Sequence, residues 1–273
     1  MNGDDFLIIP ANKPARKKGL TIRRLMVLIA LIAVAIVLER ESRVFPCDWP
    51  RARQIQCLNN LKQLGLAIHT YETANGVFPI GTLPDPDFSP DCRLGWNYLI
   101  APELEIRAPF ADGELALACD DPSLEAFRAQ PPYLLSCPEL LDRANANYVG
   151  IAGLGLDAQD LAKVHPRAGC FGNNRVINAS DIRDGASQTM MVAESNQRVG
   201  PWFAGGRATV RGLDPSRQSY IGPKDQFGGI HKGLVNVLMA DGSVKILKNS
   251  IDPKVFEAVS TIAGGDPVPV EFP

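Results

Sequence analysis

Histidine is scarce in this chain, which has only His69, His165 and His231 among its 273 residues. Because histidine is the commonest general base near neutral pH, few side chains are available for acid–base catalysis. The sequence also lacks G-x-S-x-G, H-E-x-x-H and G-x-x-x-x-G-K-[ST], the motifs of common hydrolases, zinc proteases and phosphate-binding loops. We therefore expect a protein that is not an enzyme, with no catalytic residues and no cofactor.

A strong excess of either charge is also lacking. The 28 Lys and Arg against 30 Asp and Glu give a net charge of −2. This near-balance argues against a dedicated nucleic-acid-binding protein, which presents a strongly basic face. The first 24 residues differ from the rest, because they hold six basic and only two acidic side chains.

Residues 25–38 follow this basic segment and form a run of fourteen apolar residues without Gly or Pro. As a helix the run spans only about 21 Å, whereas a bilayer core is about 30 Å thick. If Arg23 and Arg24 snorkel towards the headgroups, residues 20–38 reach about 28 Å, which is sufficient. We therefore predict a transmembrane anchor over these residues.

Three regions follow from this prediction. Residues 1–19 are a cytoplasmic basic segment, because basic flanks of a membrane span stay in the cytoplasm. Residues 20–38 are then the anchor, and residues 39–273 are an exported domain. The protein is then a single-pass protein of the cell membrane, with the lipid bilayer as a partner. A cleaved signal peptide is the alternative, because Ala33-Val34-Ala35 resembles a cleavage site behind a basic region.

Cysteine is present six times, but no C-x-x-C occurs. This spacing argues against a zinc site or a thioredoxin-like motif, and we expect no metal ion. All six cysteines follow the apolar run, where an exported chain forms disulfides, although buried free thiols are the alternative for some of them. They are Cys47, Cys57, Cys92, Cys119, Cys137 and Cys170.

The remaining pattern predicts an α+β fold. Apolar residues recur every three or four positions from Pro50 to Asn75, which predicts a long amphipathic helix. Short segments of strand character follow, and residues 234–240 with 243–247 predict a hairpin whose type I′ turn is Asp241-Gly242. The other predicted strands are residues 96–100, 147–152, 189–193 and 209–212.

Residues 181–189 gather short oxygen-bearing side chains around Gly185. Such a cluster could hold calcium, which prefers oxygen ligands, but the spacing departs from that of an EF-hand loop. Turns closed by Asp and Ser side chains explain the same residues, and we favour them.

Two segments carry a resemblance to a known family. Residues 53–81 contain Cys57-Leu58-Asn59-Asn60-Leu61, and residues 231–244 contain His231, nine residues, then Asp241-Gly242. In these motifs the chain resembles bacterial prepilin-like proteins with a domain of unknown function that ends in the H-X9-DG prepilin-processing-associated motif. Further matches are Cys137-Pro138, residues 147–153, residues 181–194, Pro201-Trp202 and residues 261–266.

The resemblance implies a pilin-like fold, in which an N-terminal membrane helix precedes a long helix packed on an antiparallel sheet. It also implies a disulfide between Cys57 and Cys137 and a candidate processing site at Gly19. The residues it marks as motif positions, which we interpret as structural, are His231, Asp241, Gly242, Asp181, Asp184, Gly185 and Glu194. Arg24 stands where such prepilins carry a glutamate, which argues against filament assembly.

A catalytic dyad of His231 and Asp241 is not expected. The predicted strand 234–240 separates them, and seven residues at about 3.3 Å each span roughly 23 Å. The resemblance implies a non-enzymatic, pseudopilin-like exported protein that serves a cell-envelope assembly or a secretion-type apparatus. Its partners would be other pilin-like subunits or secretion-apparatus proteins. The alternative is an exported module that binds a carbohydrate or solute through Trp96, Trp202 and the Gly205-Gly206 loop.

Overall fold

The computed structural model describes residues 22–44, 49–106, 118–129, 131–140 and 145–266. The chain divides into two units, residues 1–48 and 49–273. The predicted cytoplasmic segment 1–19 and the candidate processing site Gly19 lie outside the described residues.

The first unit contains helix α1, Ile22–Val44. Its apolar stretch lacks Gly and Pro, which favours an uninterrupted helix. The large apolar side chains from Leu25 to Ile36 are exposed. None of the helices in the described part of the chain combines the length and the apolar character that a bilayer crossing needs.

The second unit begins with helix α2, Trp49–Asn75, which confirms the predicted helix at both ends. Pro50 lies in its first turn, where a missing N–H costs nothing. The helix ends where Gly76 adopts φ +74° and donates its N–H to the carbonyl of Glu72. The fully buried side of α2 is formed by residues three or four positions apart: Cys57, Leu61, Leu64 and Ile68.

Five strands form one sheet in the order β3-β1-β2-β4-β5. Their bounds are β1 Tyr148–Leu154, β2 Met190–Glu194, β3 Val210–Leu213, β4 Leu234–Met239 and β5 Val244–Lys248. Three pairings are antiparallel, but β3 pairs parallel to β1. The expectation of a purely antiparallel sheet was therefore wrong, because the chain crosses from β2 over to the far side of β1 before it forms β3.

The predicted strand at residues 96–100 was also wrong, because Trp96–Leu99 forms the short helix α3. Trp96, Asn97 and Tyr98 are all buried, and the N–H of Ile100 donates to the carbonyl of Trp96, which closes a helical turn. Their polar atoms bond elsewhere: Trp96 Nε1 donates to the carbonyl of Thr209 at 3.0 Å, and Asn97 Nδ2 donates to that of Trp202 at 2.7 Å. Two further short helices are α4, Glu125–Arg128, and α5, Pro253–Ala258.

The hairpin between β4 and β5 is confirmed, but its type I′ turn is not. A type I′ turn needs positive φ at both central residues, whereas here Gly242 has φ +82° and Asp241 does not have a positive φ. The N–H of Gly242 donates to the carbonyl of Met239, and the N–H of Met239 donates to that of Ser243. The loop therefore has three residues, a turn followed by a glycine bulge, which leaves the N–H of Asp241 free to donate to Ala186.

The fold is thus α+β, with helix α2 packed against β4 and β5. Gly65 marks the closest approach, because a Cβ atom added there would lie 2.8 Å from Cδ1 of Leu238 on β4. The third and fourth turns of α2, which contain Cys57 and Asn60, lie near the start of β1 and the end of β2.

Candidate functional site

Four residues from distant parts of the sequence meet in the interior of the second unit. They are Cys57, Cys137, Glu194 and His231, and their ligand-type atoms all lie within 4.8 Å of one another. Cys57, Cys137 and Glu194 have no exposed surface, and His231 is 8% exposed. We call these four residues the His–Glu–disulfide cluster.

Cys57 and Cys137 form a disulfide, with their Cα atoms 5.7 Å apart, which confirms the predicted pairing. Cys57 lies on α2, and Cys137 lies in the loop that leads to β1. The N–H of Cys137 donates to Oδ1 of Asn147 at 3.1 Å, just before β1 begins. The bond therefore fastens the helix to the entry of the sheet.

Glu194 ends β2 and has no exposed surface. Its Oε2 atom accepts a hydrogen bond from the backbone N–H of Asn236 on β4, at 3.1 Å. Its Oε1 atom lies 3.7 Å from Nε2 of His231 and has no hydrogen-bond donor among the described residues. The same His231 nitrogen lies 3.7 Å from Sγ of Cys137, so the imidazole lies close to both the carboxylate and the disulfide.

Tyr148 faces Glu194 across the β1–β2 pair. Its hydroxyl accepts a hydrogen bond from Nδ2 of Asn60 on α2, at 3.4 Å. Burial, and then the nearby charge of Glu194, raise the pKa of Tyr148 well above its usual value. The phenol is therefore a neutral hydrogen-bonding group beside a buried carboxylate.

The cluster contains two sulfurs, one imidazole and one carboxylate, which are the donor types of zinc sites. The two sulfurs are bonded to each other, however, and a metal ligand must be a thiolate. With the disulfide formed, His231 and Glu194 remain, fewer than the four ligands of a structural zinc site. In this state the arrangement is a cross-linked polar network that joins α2, β1, β2 and the start of β4.

A comparison with protein families matches residues 50–254 to a family described as a protein of unknown function, DUF1559. The chain belongs to the DUF1559 family. No curated protein and no solved structure matches the chain. The whole His–Glu–disulfide cluster lies within the DUF1559 domain, whereas α1 precedes it.

Asp241 and Gly242 lie at the other end of β4, in the loop of the β4–β5 hairpin. Oδ1 of Asp241 accepts hydrogen bonds from the N–H and the hydroxyl of Ser243, at 2.9 and 2.6 Å. A Cβ atom on Gly242 would lie 3.4 Å from the ring of His69 on α2. His231 therefore belongs to the cluster and Asp241 to the hairpin, so the two do not form a dyad.

Asp184 of the DUF1559 domain binds the segment that follows α5. Its Oδ2 atom accepts hydrogen bonds from the N–H of Gly264 at 2.7 Å and the hydroxyl of Thr261 at 3.2 Å, and its Oδ1 atom accepts the N–H of Gly265 at 3.0 Å. The neighbouring Gly185 has φ +96°. The carboxylate of Asp184 thus holds the segment after α5 against the segment that precedes β2.

Asp181 and Asn178 cap a short turn: Oδ2 of Asp181 accepts the N–H of Asn178, and Oδ1 of Asn178 accepts the N–H of Ser180, both at 3.0 Å. The N–H of Asn178, and also Lys163 at 2.9 Å, hold the pKa of Asp181 below its usual value. The carboxylates of Asp181 and Asp184 both accept backbone N–H groups. The structure therefore supports turn formation rather than a calcium loop for residues 181–189.

The tryptophans proposed to line a ligand site are part of the core. Trp96 and Trp202 are 0% and 1% exposed. Trp202 packs on Phe127 and Phe203, and Trp96 packs on Phe171.

Asn60 and Tyr148 support the His–Glu–disulfide cluster but were not predicted as site residues from the sequence. Both occur in segments that carry the family resemblance.

Proposed function

We propose that this chain is a non-enzymatic, membrane-anchored protein whose DUF1559 domain lies outside the cytoplasm and serves a cell-envelope assembly. The observation that carries this proposal is the buried disulfide between Cys57 and Cys137. Such bonds form and persist in oxidising compartments and are rare in the cytosol. The stable location of the domain is then outside the cytoplasmic membrane.

The N-terminal sequence supplies an anchor for such a domain. Residues 25–38 are apolar, and the large apolar side chains of α1 from Leu25 to Ile36 are exposed. The basic residues before them favour an N-terminus that stays in the cytoplasm. Arg23 and Arg24 snorkelling to the headgroups would give residues 20–38 the reach of a single span.

The packing of α2 on β4 and β5 supports a pilin-like role, since the expected pilin-like domain lays a helix against a sheet. Arg24 supports a role as a minor or stand-alone subunit, because a cation in this position cannot neutralise the amino terminus of a neighbouring subunit. The buried His–Glu–disulfide cluster supports a structural role for the motif, since its carboxylate is enclosed. The alternative of carbohydrate binding through Trp96 and Trp202 receives no support, because neither ring is accessible.

Protease digestion of spheroplasts that express the full chain with a C-terminal tag tests the location. We expect the tag to be removed from intact spheroplasts and Cys57–Cys137 to be oxidised when thiols are trapped in acid. The matched control is Leu28→Arg with Ile32→Arg, which breaks the apolar run and should leave the tag protected and the thiols reduced. A wild-type tag that stays protected until the membrane is opened contradicts the proposed location.

Chemical cross-linking of the same cells tests the assembly role. We expect the tagged chain to be recovered from detergent extracts in a larger complex with other envelope proteins. Recovery as a monomer alone, under conditions that cross-link a known envelope complex, contradicts the assembly role without affecting the topology result.

A further inference from the structure

A pocket of about 220 Å³ lies beside β3 in the second unit, away from the His–Glu–disulfide cluster. Its lining is strongly basic, although the chain as a whole has a net charge of −2. Five cationic side chains line it, against the two acidic side chains of Asp214 and Asp225. The cations are Arg198, Arg207, Arg211, Arg217 and Lys224.

Both aspartates are already paired with one of these cations. Arg217 Nε lies 3.6 Å from Asp214, and Arg217 Nη1 lies 3.7 Å from Asp225. Asp214 also accepts hydrogen bonds from the N–H and hydroxyl of Ser216. Within the described ranges, the other four cations of the pocket have no carboxylate partner.

Arg211 is the most unusual of these four, because it is only 6% exposed. Its Nη1 donates to Ser195 Oγ and to the carbonyl of Gln226, both at 3.0 Å. Its Nε and Nη2 donate to the carbonyls of Arg207 and Arg198, both at 3.2 Å. Every acceptor is neutral, and one of the two Nη2 hydrogens remains unused.

A buried cation without an anion is unfavourable, because it has lost its hydration without gaining an opposite charge. Burial, and then the nearby charge of Arg198, lower the pKa of Arg211 to about 10. The guanidinium therefore still carries its charge at neutral pH. The carbonyls around it fix the orientation of its planar fork before any ligand arrives.

The other cations occupy the open side of the pocket. Arg198, Arg207 and Lys224 are exposed, and none has a side-chain hydrogen bond or ion pair in the described part of the chain. Arg198 has φ +50°, an uncommon conformation for a residue other than glycine. That conformation presents its carbonyl to Arg211 while its side chain stays at the surface.

We propose that this pocket is a binding site for a small oxyanion, a carboxylate, phosphate or sulfate group. The fixed, uncompensated guanidinium of Arg211 would bind the oxygens, and Arg198, Arg207 and Lys224 would supply further charge-assisted hydrogen bonds. The volume is below the roughly 300 Å³ of pockets that hold drug-sized ligands, so the ligand is a small anion or a sugar acid. This site does not depend on the proposed anchoring or assembly of the chain.

Isothermal titration calorimetry of the full chain in detergent micelles tests the site. The probes are inorganic phosphate, sulfate and glucuronate, with glucose as the neutral counterpart of glucuronate. We expect saturable binding of at least one oxyanion with one site per chain, weakened by added sodium chloride because salt screens charges. Tighter binding of glucuronate than of phosphate and sulfate would identify an acidic sugar as the ligand source, and the reverse would identify a free inorganic anion.

The test variant is Arg198→Gln with Arg207→Gln, which removes two exposed charges and spares the buried Arg211. We expect it to weaken anion binding about tenfold or more, since each lost cation removes a charge-assisted contact. The matched control is Arg51→Gln with Arg183→Gln, which changes the net charge equally on exposed residues outside the pocket and should bind as the wild type does. Absence of saturable anion binding by the wild type, or equal weakening in test and control variants, overturns the proposal.

Discussion

Oε1 of Glu194 lies 3.7 Å from Nε2 of His231, although the two residues come from the end of β2 and the loop before β4. The other carboxylate oxygen is held by the N–H of Asn236. Glu194 has no exposed surface, so bulk water does not reach its carboxyl group. The position of the histidine therefore bears on the stability of the whole cluster.

We expect His231→Ala to destabilise the full chain by about 2 kcal/mol, because it leaves a void beside the buried carboxyl group of Glu194. Glu194→Gln keeps the shape of the side chain and removes its charge, so His231→Ala should cost less in that background. Thermal unfolding in detergent micelles measures the four combinations, with the buried Trp96 and Trp202 as fluorescence reporters. Strictly additive losses would mean that the two residues are not coupled.

The helix α2 and the β4–β5 hairpin could be predicted from the sequence, because both depend on local signals. Pro50 and Asn75-Gly76 mark the helix ends, and Asp241-Gly242 marks a turn. The parallel pairing of β3 with β1 could not be predicted, because it depends on long-range contacts that place the chain after β2 beside β1. Trp96, Tyr98 and Ile100 are residue types that favour strands, but the tertiary contacts of Trp96 and Asn97 override that preference.

The candidate site was only partly predictable for the same reason. The pairing of Cys57 with Cys137 followed from the resemblance, since six cysteines allow 15 pairings. Nothing local connects Glu194 to His231, because their contact depends on the β2–β4 pairing. The arginines of the pocket lie between residues 198 and 217, but only the fold shows that Arg211 is buried without a carboxylate.

The disulfide is expected to contribute about 4 kcal/mol to stability, because it joins residues 80 positions apart and restricts the unfolded chain. Cys57→Ala with Cys137→Ala should therefore lower the melting temperature by about 8 to 16 °C for a domain of this size. Reductant should lower the melting temperature of the wild type but leave that of the double variant unchanged. Cys170→Ala is the control, since it removes a thiol and keeps the bond, and a reductant effect that persists in the double variant would contradict the assignment.

Gly242 is expected to tolerate asparagine better than valine. Its φ of +82° is a left-handed conformation that Asn adopts more readily than a β-branched residue. A larger side chain would also press on His69, which lies 3.4 Å from the position of a Cβ atom. We expect Gly242→Val to lower stability by about 2 kcal/mol or more and Gly242→Asn by about 1 kcal/mol or less, as measured by thermal unfolding.

Gly76→Val is the matched control for that comparison. Gly76 has φ +74°, but nothing lies within 4 Å of its added Cβ atom. The difference between the losses at Gly242 and Gly76 reports the contact of the hairpin with α2. Equal losses for valine at the two positions would mean that the His69 contact contributes nothing.

Cys170 is expected to be inert towards alkylation in the folded protein. Burial raises the pKa of its thiol to about 12, an effect that the charge of Arg175 only partly opposes. Because the thiolate is the reactive form, alkylation at pH 8 should be roughly a thousandfold slower than in the unfolded chain. Iodoacetamide labelling followed by mass spectrometry, with and without guanidinium chloride, measures the two rates.

The same shift predicts how stability depends on pH. The pKa of Cys170 is higher in the folded state than in the unfolded state, so the folded state holds the proton more tightly. Its contribution to stability is present below pH 9 and is lost as the pH rises towards 12. Cys170→Ala should therefore flatten the fall of the melting temperature between pH 9 and 11. Labelling of Cys170 at the unfolded rate, together with an unchanged pH profile in Cys170→Ala, would show that the thiol is accessible to water rather than buried.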